Sequence, residues 1–146
     1  KKEIIVPASN YDMIFQEDID DLLGEKFLNP DLIRWEKHRV WVVEANLKDG
    51  SRHIYNKRRF YVDEDSWTAL ASEAYDGRDN LWRVQYQYSA NLYDMKSIYS
   101  LAYGAYDLLQ GLYNLNTKPI PGRYKNGVTE GDKYFTPKGL ARGGVR

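Results

Sequence analysis

The sequence contains no cysteine, which excludes disulfides and thiolate metal sites and leaves the redox compartment open. Histidine is scarce as well. His38 and His53 are the only two, they share no helical i, i+4 spacing, and two imidazoles without a convincing third ligand do not make a zinc site. Net charge is missing, since 21 lysines and arginines balance 21 aspartates and glutamates. No global field gathers phosphates or an anionic membrane, and nucleic acid is a poor partner. The run Lys57, Arg58, Arg59 does not rescue that idea, because in a strand the middle residue points away from its neighbours. No Gly-x-Ser-x-Gly elbow, phosphate loop or dinucleotide fingerprint is present. Asp63, Glu64 and Asp65 lack the later glycine and terminal glutamate of an EF-hand loop and read as a solvated turn. An enzyme is not expected, and neither is a metal or cofactor. Transmembrane-length apolar runs, a signal peptide and lipid-attachment motifs are absent too.

What the chain does have is aromatic rings: 13 tyrosines, 4 tryptophans and 4 phenylalanines in 146 residues. Nine of these 21 fall in the alternating stretches between residues 39 and 92, which read as four antiparallel strands joined by three turns. The first turn is Asp49-Gly50, a two-residue signal for a type I′ hairpin. The second is the acidic stretch from Asp63 to Ser66, and the third runs from Asp76 to Asn80. Pairing Lys48 with Ser51 sets Trp41 opposite Arg58. Pairing Asp63 with Ser66 sets Val62 opposite Trp67 and Phe60 opposite Ala69, and a loop at 77 to 80 sets Tyr75 opposite Trp82 and Ala71 opposite Tyr86. Side chains in a strand alternate, so these registers place Trp41, Val43, Phe60, Val62, Trp67, Ala71, Trp82, Val84, Tyr86 and Tyr88 on one apolar face. Glu44, Arg59, Tyr61, Ser72, Arg83, Gln85 and Gln87 fall on a polar one.

Around this core the expected elements are short. Residues 2–8 form a first strand with an irregular exit at 11–15. A helix spans 16–23 and ends at Gly24, and Asn29-Pro30 starts a helical turn running through Trp35. Residues 98–109 make a fifth core strand, Gln110-Gly111 turns the chain into a sixth at 112–115, and residues 116–133 read as loop. Thr136-Pro137 caps a last helical turn, broken at Gly143-Gly144. The fold class is mainly β with short α: a curved antiparallel meander, half-barrel-like, with helices before the sheet and at the C-terminus. At 146 residues it is one domain by size, and folding buries roughly 68 to 70% of the unfolded surface. Lys1, Lys2 and Glu3 lead straight into a strand, so the chain reads as a C-terminal piece of a longer protein or as one whose leader is missing.

Several stretches carry a family resemblance. These are Leu28-Asn29-Pro30-Asp31-Leu32, His38-Arg39-Val40-Trp41-Val42-Val43-Glu44-Ala45, Arg52-His53-Ile54-Tyr55, and Phe60-Tyr61-Val62-Asp63-Glu64-Asp65-Ser66-Trp67. Tyr75-Asp76-Gly77-Arg78, Leu81-Trp82-Arg83-Val84 and Phe135-Thr136-Pro137 with Leu140 complete the set. In this order they resemble the C-terminal part of the Gram-negative outer-membrane lipoprotein family catalogued as domain of unknown function 1329. The resemblance implies an envelope protein in the periplasm or on the periplasmic face of the outer membrane. It also implies a fold similar to the lipoprotein-localisation carriers, which hold acyl chains on a concave face, and a family without known catalytic residues. Its members are encoded beside outer-membrane channels and exporters of hydrophobic compounds, which makes such proteins the expected partners.

The expected site is the apolar face. Its ligand-binding residues would be Trp41, Val43, Arg58, Phe60, Trp67, Ala71, Glu73, Trp82, Val84, Tyr86 and Tyr88. Short helices look too small to cover so much apolar surface, and uncovered surface of that kind marks binding. Arg58 and Glu73 are diagonal neighbours in this register, so they either pair as structure or leave Arg58 to take a carboxylate or phosphate. The function expected is a non-catalytic carrier for a lipid or similar hydrophobic small molecule. The alternative is an interaction module that docks a partner through its sheet face or edge.

Overall fold

Alternation, β-branched residues and rings do produce strands where they are dense. The computed structural model describes residues 1–93, 96–116 and 136–143. Its strands are β1 (Lys2–Pro7), β2 (Trp35–Asn46), β3 (Lys57–Asp63), β4 (Ala69–Tyr75), β5 (Leu81–Leu92), β6 (Ser97–Asp107) and β7 (Leu112–Asn116). They lie side by side in chain order, every pair antiparallel. β1 also reaches across to β4 and β5, so the meander is curled like half a barrel and has an inner and an outer face.

Two short helices and a turn enter the inner side. α1 (Tyr11–Phe15), read as irregular from sequence, delivers Met13 and Ile14. α2 (Ile19–Leu22), shorter than the expected 16–23, delivers Leu22. Asp18 caps α2 by accepting from the Asp20 amide at 3.1 Å, and Asn29 starts the 3-10 turn Pro30–Leu32 by accepting from Asp31 at 3.2 Å. Strand pairing resumes at Trp35, so β2 is longer than expected. The buried Asn10 fixes this entry. Its side chain bonds both the amide (2.8 Å) and the carbonyl (3.2 Å) of Arg34, and its amide donates to Ser89 of β5 at 2.8 Å. At the C-terminal end α3 (Pro137–Gly143) starts as expected, with the Gly139 amide on the Thr136 hydroxyl at 3.0 Å. The loop expected at 116–133, beyond Asn116, and Gly144 lie outside the described residues.

The registers correct the reading in three places. After Asn46, paired with Lys57, the ladder ends, and residues 48–55 form a wide loop. Within it Ser51 donates to Lys48 at 3.0 Å, with positive φ at Gly50 but not at Asp49. That is the type II pattern rather than I′. Trp41 therefore faces Val62, not Arg58, an even slip that leaves the faces of β2 and β3 as read. The second turn is longer too: Asp63 pairs with Thr68 at 2.9 Å and Val62 with Ala69. The decisive change follows. Leu70 is an extra residue opposite the Tyr61–Val62 step, a bulge after which Ala71 faces Tyr61, Ser72 faces Phe60 and Glu73 faces Arg59. An odd slip exchanges the two faces from there on. At the third turn a three-residue loop with Asp79 at φ 63° is compensated by an extra residue at Trp82, so Ala71 does face Tyr86 as read, while Tyr75 faces Leu81.

The expected single apolar face is thus divided. One inner row runs Val42, Tyr61, Ala71, Tyr86, Gly104, Leu115, and the next runs Glu44, Arg59, Glu73, Val84, Tyr106, Tyr113. Trp41, Val43, Phe60 and Val62 point outward. The middle of the inner face is filled. Val6, Val40, Tyr61, Leu70 and Ala71 pack with Tyr86, and Tyr88, Ala90 and Ala102 pack under Met13, Ile14, Leu22 and Leu28. Gly104 serves this packing: a Cβ there would sit 3.1 Å from the Tyr88 ring and hydroxyl and 3.2 Å from the Tyr106 ring.

Candidate functional site

With its middle filled, the curled sheet has two unfilled ends. At the end where β2 starts and β5 finishes lies a cleft of about 800 Å³, walled by the Asp63–Thr68 turn on one side and the β5–β6 hairpin on the other. Leu92, Tyr93 and Ile98 give it apolar surface, and His38, Asp63, Thr68 and Lys96 give it polar groups. Asp63, read from sequence as part of a solvated turn, is 4% exposed. One of its oxygens accepts from the Ser66 amide (2.9 Å) and hydroxyl (2.7 Å), and the other lies 2.9 Å from His38 Nδ1. His38 Nε2 lies 3.3 Å from Glu36. Both ring nitrogens face carboxylate oxygens, an arrangement that favours the protonated ring, in which both donate. Burial opposes that charge, but the hydrogen bonds to Asp63 and Glu36 outweigh it and raise the His38 pKa. Burial likewise pushes Asp63 up, and Ser66 and His38 overcome it and bring it below the usual carboxylate value. The Ser66 hydroxyl is committed to Asp63, so the serine and histidine are not arranged as a nucleophile and its base.

At the other end Arg59 holds a network across the inner face. Its Nη2 reaches Glu44 at 2.9 Å, and its Nη1 reaches Glu73 at 3.3 Å and the Tyr75 hydroxyl at 3.1 Å. Glu73 also accepts from Tyr61 at 2.8 Å and Tyr75 at 2.6 Å. Burial, with the bond to Glu73, pushes Tyr75 up to about 12. Every polar group here has a partner within the network, which makes it a closed structural unit rather than a set of groups waiting for a ligand.

The sequence-chosen site residues are scattered over these surfaces. Ala71, Glu73, Val84, Tyr86 and Tyr88 are on the inner face, where Tyr88 is fully buried beneath the helices and Ala71 is nearly so. Trp41, Val43, Arg58 and Phe60 are together on the outer face. The expected Arg58–Glu73 pair does not form, because the bulge turns Glu73 toward Arg59. Arg58 instead lies 3.3 Å from His53 Nε2 and 4.8 Å from the centre of the Tyr55 ring. Trp82 donates its indole N–H to Asp107 at 2.9 Å and stacks under Arg83. Trp67 stands at the turn tip, 71% exposed. The cleft residues His38, Asp63, Leu92, Tyr93 and Ile98 lie outside the sequence-predicted set. Their only sequence signal was an aspartate three residues before a serine, the pattern of a side chain that caps its own turn.

Comparison with known proteins adds the following. Residues 1–141 match the family described as protein of unknown function (DUF1329). An uncharacterized protein of Pseudomonas aeruginosa is 38% identical over 151 residues, an alignment that takes in all of this chain and 33% of that protein. The chain therefore spans about a third of the length of that curated relative. A DUF1329 family protein from Desulfovibrio piger aligns in structure with a TM-score of 0.44 at 19% identity, over 69% of this chain and 40% of that one. A domain described as an outer membrane lipoprotein-sorting protein, from Vibrio parahaemolyticus, aligns at 0.45 and 21%, over 69% and 41%.

Proposed function

The chain belongs to the DUF1329 family, and from that premise we propose that it is a non-catalytic binding module that shelters the apolar part of a lipid or lipid-like amphiphile in the bacterial envelope. The observation that carries this reading is the cleft of about 800 Å³ at the end of the curled sheet, a volume within the range that holds small molecules. Its lining suits an amphiphile. A tail lies along Leu92, Tyr93 and Ile98, and a polar head meets His38, Asp63 and Lys96. Burying roughly 200 Å² of such a tail is worth about 5 kcal/mol at 25 cal/mol per Å², before the costs of association are subtracted. No step of chemistry is needed for release, since the ligand passes to whichever partner binds it better. The setting is the periplasm or the periplasmic face of the outer membrane, with an outer-membrane channel or exporter as the receiving partner.

Native mass spectrometry of protein purified without detergent tests this. Co-purifying lipid that falls about tenfold in Leu92→Asp supports the cleft. Ligand-free protein, or lipid retained unchanged by that variant, removes it. A second reading, an interaction module, is favoured by the outward Trp41 and Val43, which are 41% and 49% exposed. It predicts a concentration-dependent dimer without ligand in the same experiment.

A further inference from the structure

The outer face is not uniform. Over β5–β7 it carries Gln85, Gln87, Asn114 and Asn116 around an exposed Tyr103, whereas over β2 and β3 it carries Trp41, Val43, Phe60 and Val62, of which Trp41 and Val43 are 41% and 49% exposed. In the turn that follows β3 stands Trp67, 71% exposed at φ 59°. A bulky side chain enters that left-handed region only where surrounding bonds impose it. Here the Trp67 amide donates to the Asp63 carbonyl at 3.0 Å, while the Asp63 side chain is itself anchored by Ser66 and His38. The turn spends backbone strain to hold an indole out in solvent. Trp82 gives its N–H to Asp107, but among the described residues neither Trp41 nor Trp67 has a partner for its indole N–H. Such a ring, apolar in body and polar at one atom, suits the headgroup layer of a membrane.

The charges around the patch point the same way. Lys1 lies 4.4 Å above the Trp41 ring, Lys37 and Arg39 alternate outward along β2 beside it, and Arg58 sits on β3 between Ala45 and Ala74. Glu3 and Glu64 are the carboxylates paired with this group, holding Lys37 and jointly Lys1 and Arg39. Arg58 is left without a carboxylate among the described residues. Lys1, Lys37, Arg39 and Arg58 against Glu3, Glu64 and, in the Trp67 turn, the exposed Asp65 leave the patch a small positive excess on a chain whose net charge is +0.

We propose that the outer face of β2–β3 docks on a bilayer surface containing anionic lipid, with Trp41 and Trp67 in the headgroup layer and Arg58 on a lipid phosphate. This surface is separate from the inner cleft and stands whether or not the cleft holds a ligand. The test is flotation of the whole chain with vesicles of phosphatidylcholine, with and without about a third phosphatidylglycerol. The wild type is expected to float with the anionic vesicles and to bind roughly tenfold less to neutral vesicles or in about 1 M salt, where screening is short-ranged. Trp67→Ser and Trp41→Ser together should lower binding by at least about tenfold. Arg58→Gln should lower it about fivefold, the value of one cation near an anionic surface. Trp67→Ser, at an exposed turn tip, decides the case alone if the double variant melts early. Absence of flotation overturns the proposal, and so does equal binding to neutral vesicles or binding unchanged by Trp67→Ser. A dimer in sedimentation that Trp41→Ser abolishes overturns it in favour of a second copy.

Discussion

In the β2–β3 half of the sheet apolar side chains face both ways: Val40, Val42 and Tyr61 look inward beside the charged Glu44 and Arg59, while Trp41, Val43 and Phe60 look outward. In the β4–β5 half the arrangement is one-sided: Ala71, Val84 and Tyr86 are inside with Glu73, and Ser72, Arg83 and Gln85 are outside. One inserted residue, Leu70, separates the halves. A half-barrel usually keeps apolar groups in and polar groups out along its whole width, because its inner face is its core. Here the bulge lets one continuous sheet keep an apolar interior while presenting an apolar exterior over β2 and β3. The molecule can therefore carry two separate apolar surfaces on a single layer. The inward charges are tolerated because they neutralise each other, whereas an unpaired inward arginine would be costly.

The largest expected effect comes from attacking the switch itself. Leu70 is 2% exposed and packs with Val6, Val40 and Tyr61. Leu70→Ala keeps the extra residue but empties its site, and should cost about 2 to 5 kcal/mol in urea unfolding. Deleting Leu70 should do more. It would force Ser72 and Ala74 inward and Ala71 and Glu73 outward, so a cooperative transition should be lost altogether. A deletion mutant that unfolds cooperatively with wild-type stability would show that the two halves are not locked by this residue.

Much of this fold was legible because strand number, strand order and turn sites rest on local signals. Asp49-Gly50, Asp76-Gly77 and Gln110-Gly111 all mark turns, Asn29 caps where expected, and the alternation within β2 and β3 is as read. The relation between strands was less legible. Val62 to Ala71 reads as an unbroken alternation around an acidic turn, and nothing in Ala69-Leu70-Ala71 announces that one residue has no partner across the ladder. Parity is cumulative, so a single odd step transferred Ala71, Glu73, Val84 and Tyr86 to the other surface. The cleft escaped for a different reason. Its residues come from β2, the Asp63–Thr68 turn and the β5–β6 hairpin, brought together only by curling, and an acidic turn carries no sign that its first aspartate will be buried by a histidine 25 positions away.

Two neighbouring arginines sharpen the comparison at a smaller scale. Arg59 faces inward and bridges Glu44 and Glu73, while Arg58 faces outward with no carboxylate among the described residues. Arg59→Met leaves two carboxylates facing each other across the inner face. It should cost about 1 to 2 kcal/mol, less than a fully buried pair because the side chain is 31% exposed. Arg58→Met should change stability by no more than about 0.5 kcal/mol, as surface substitutions do. Thermal melts of the two variants side by side settle it, and equal losses would mean that the faces do not differ in the way their partners suggest.

The smallest expected effect concerns the cleft and is read as a slope rather than a loss. His38 has a raised pKa in the folded chain because Asp63 and Glu36 hold both of its ring nitrogens. A group with a raised folded pKa binds its proton more tightly folded than unfolded, so its contribution to stability is complete below the unfolded value of about 6.5 and disappears as pH rises through the folded value. Asp63, with a lowered pKa, acts in the opposite sense and only in acid, where stability falls as it becomes protonated. Between about pH 5 and 8 the histidine should therefore dominate. The wild type should lose melting temperature as pH rises across this window, and His38→Gln, which keeps a donor without the charge, should show a flatter profile. Parallel profiles would mean that Asp63 is held by Ser66 alone and that the cleft wall owes nothing to the imidazolium.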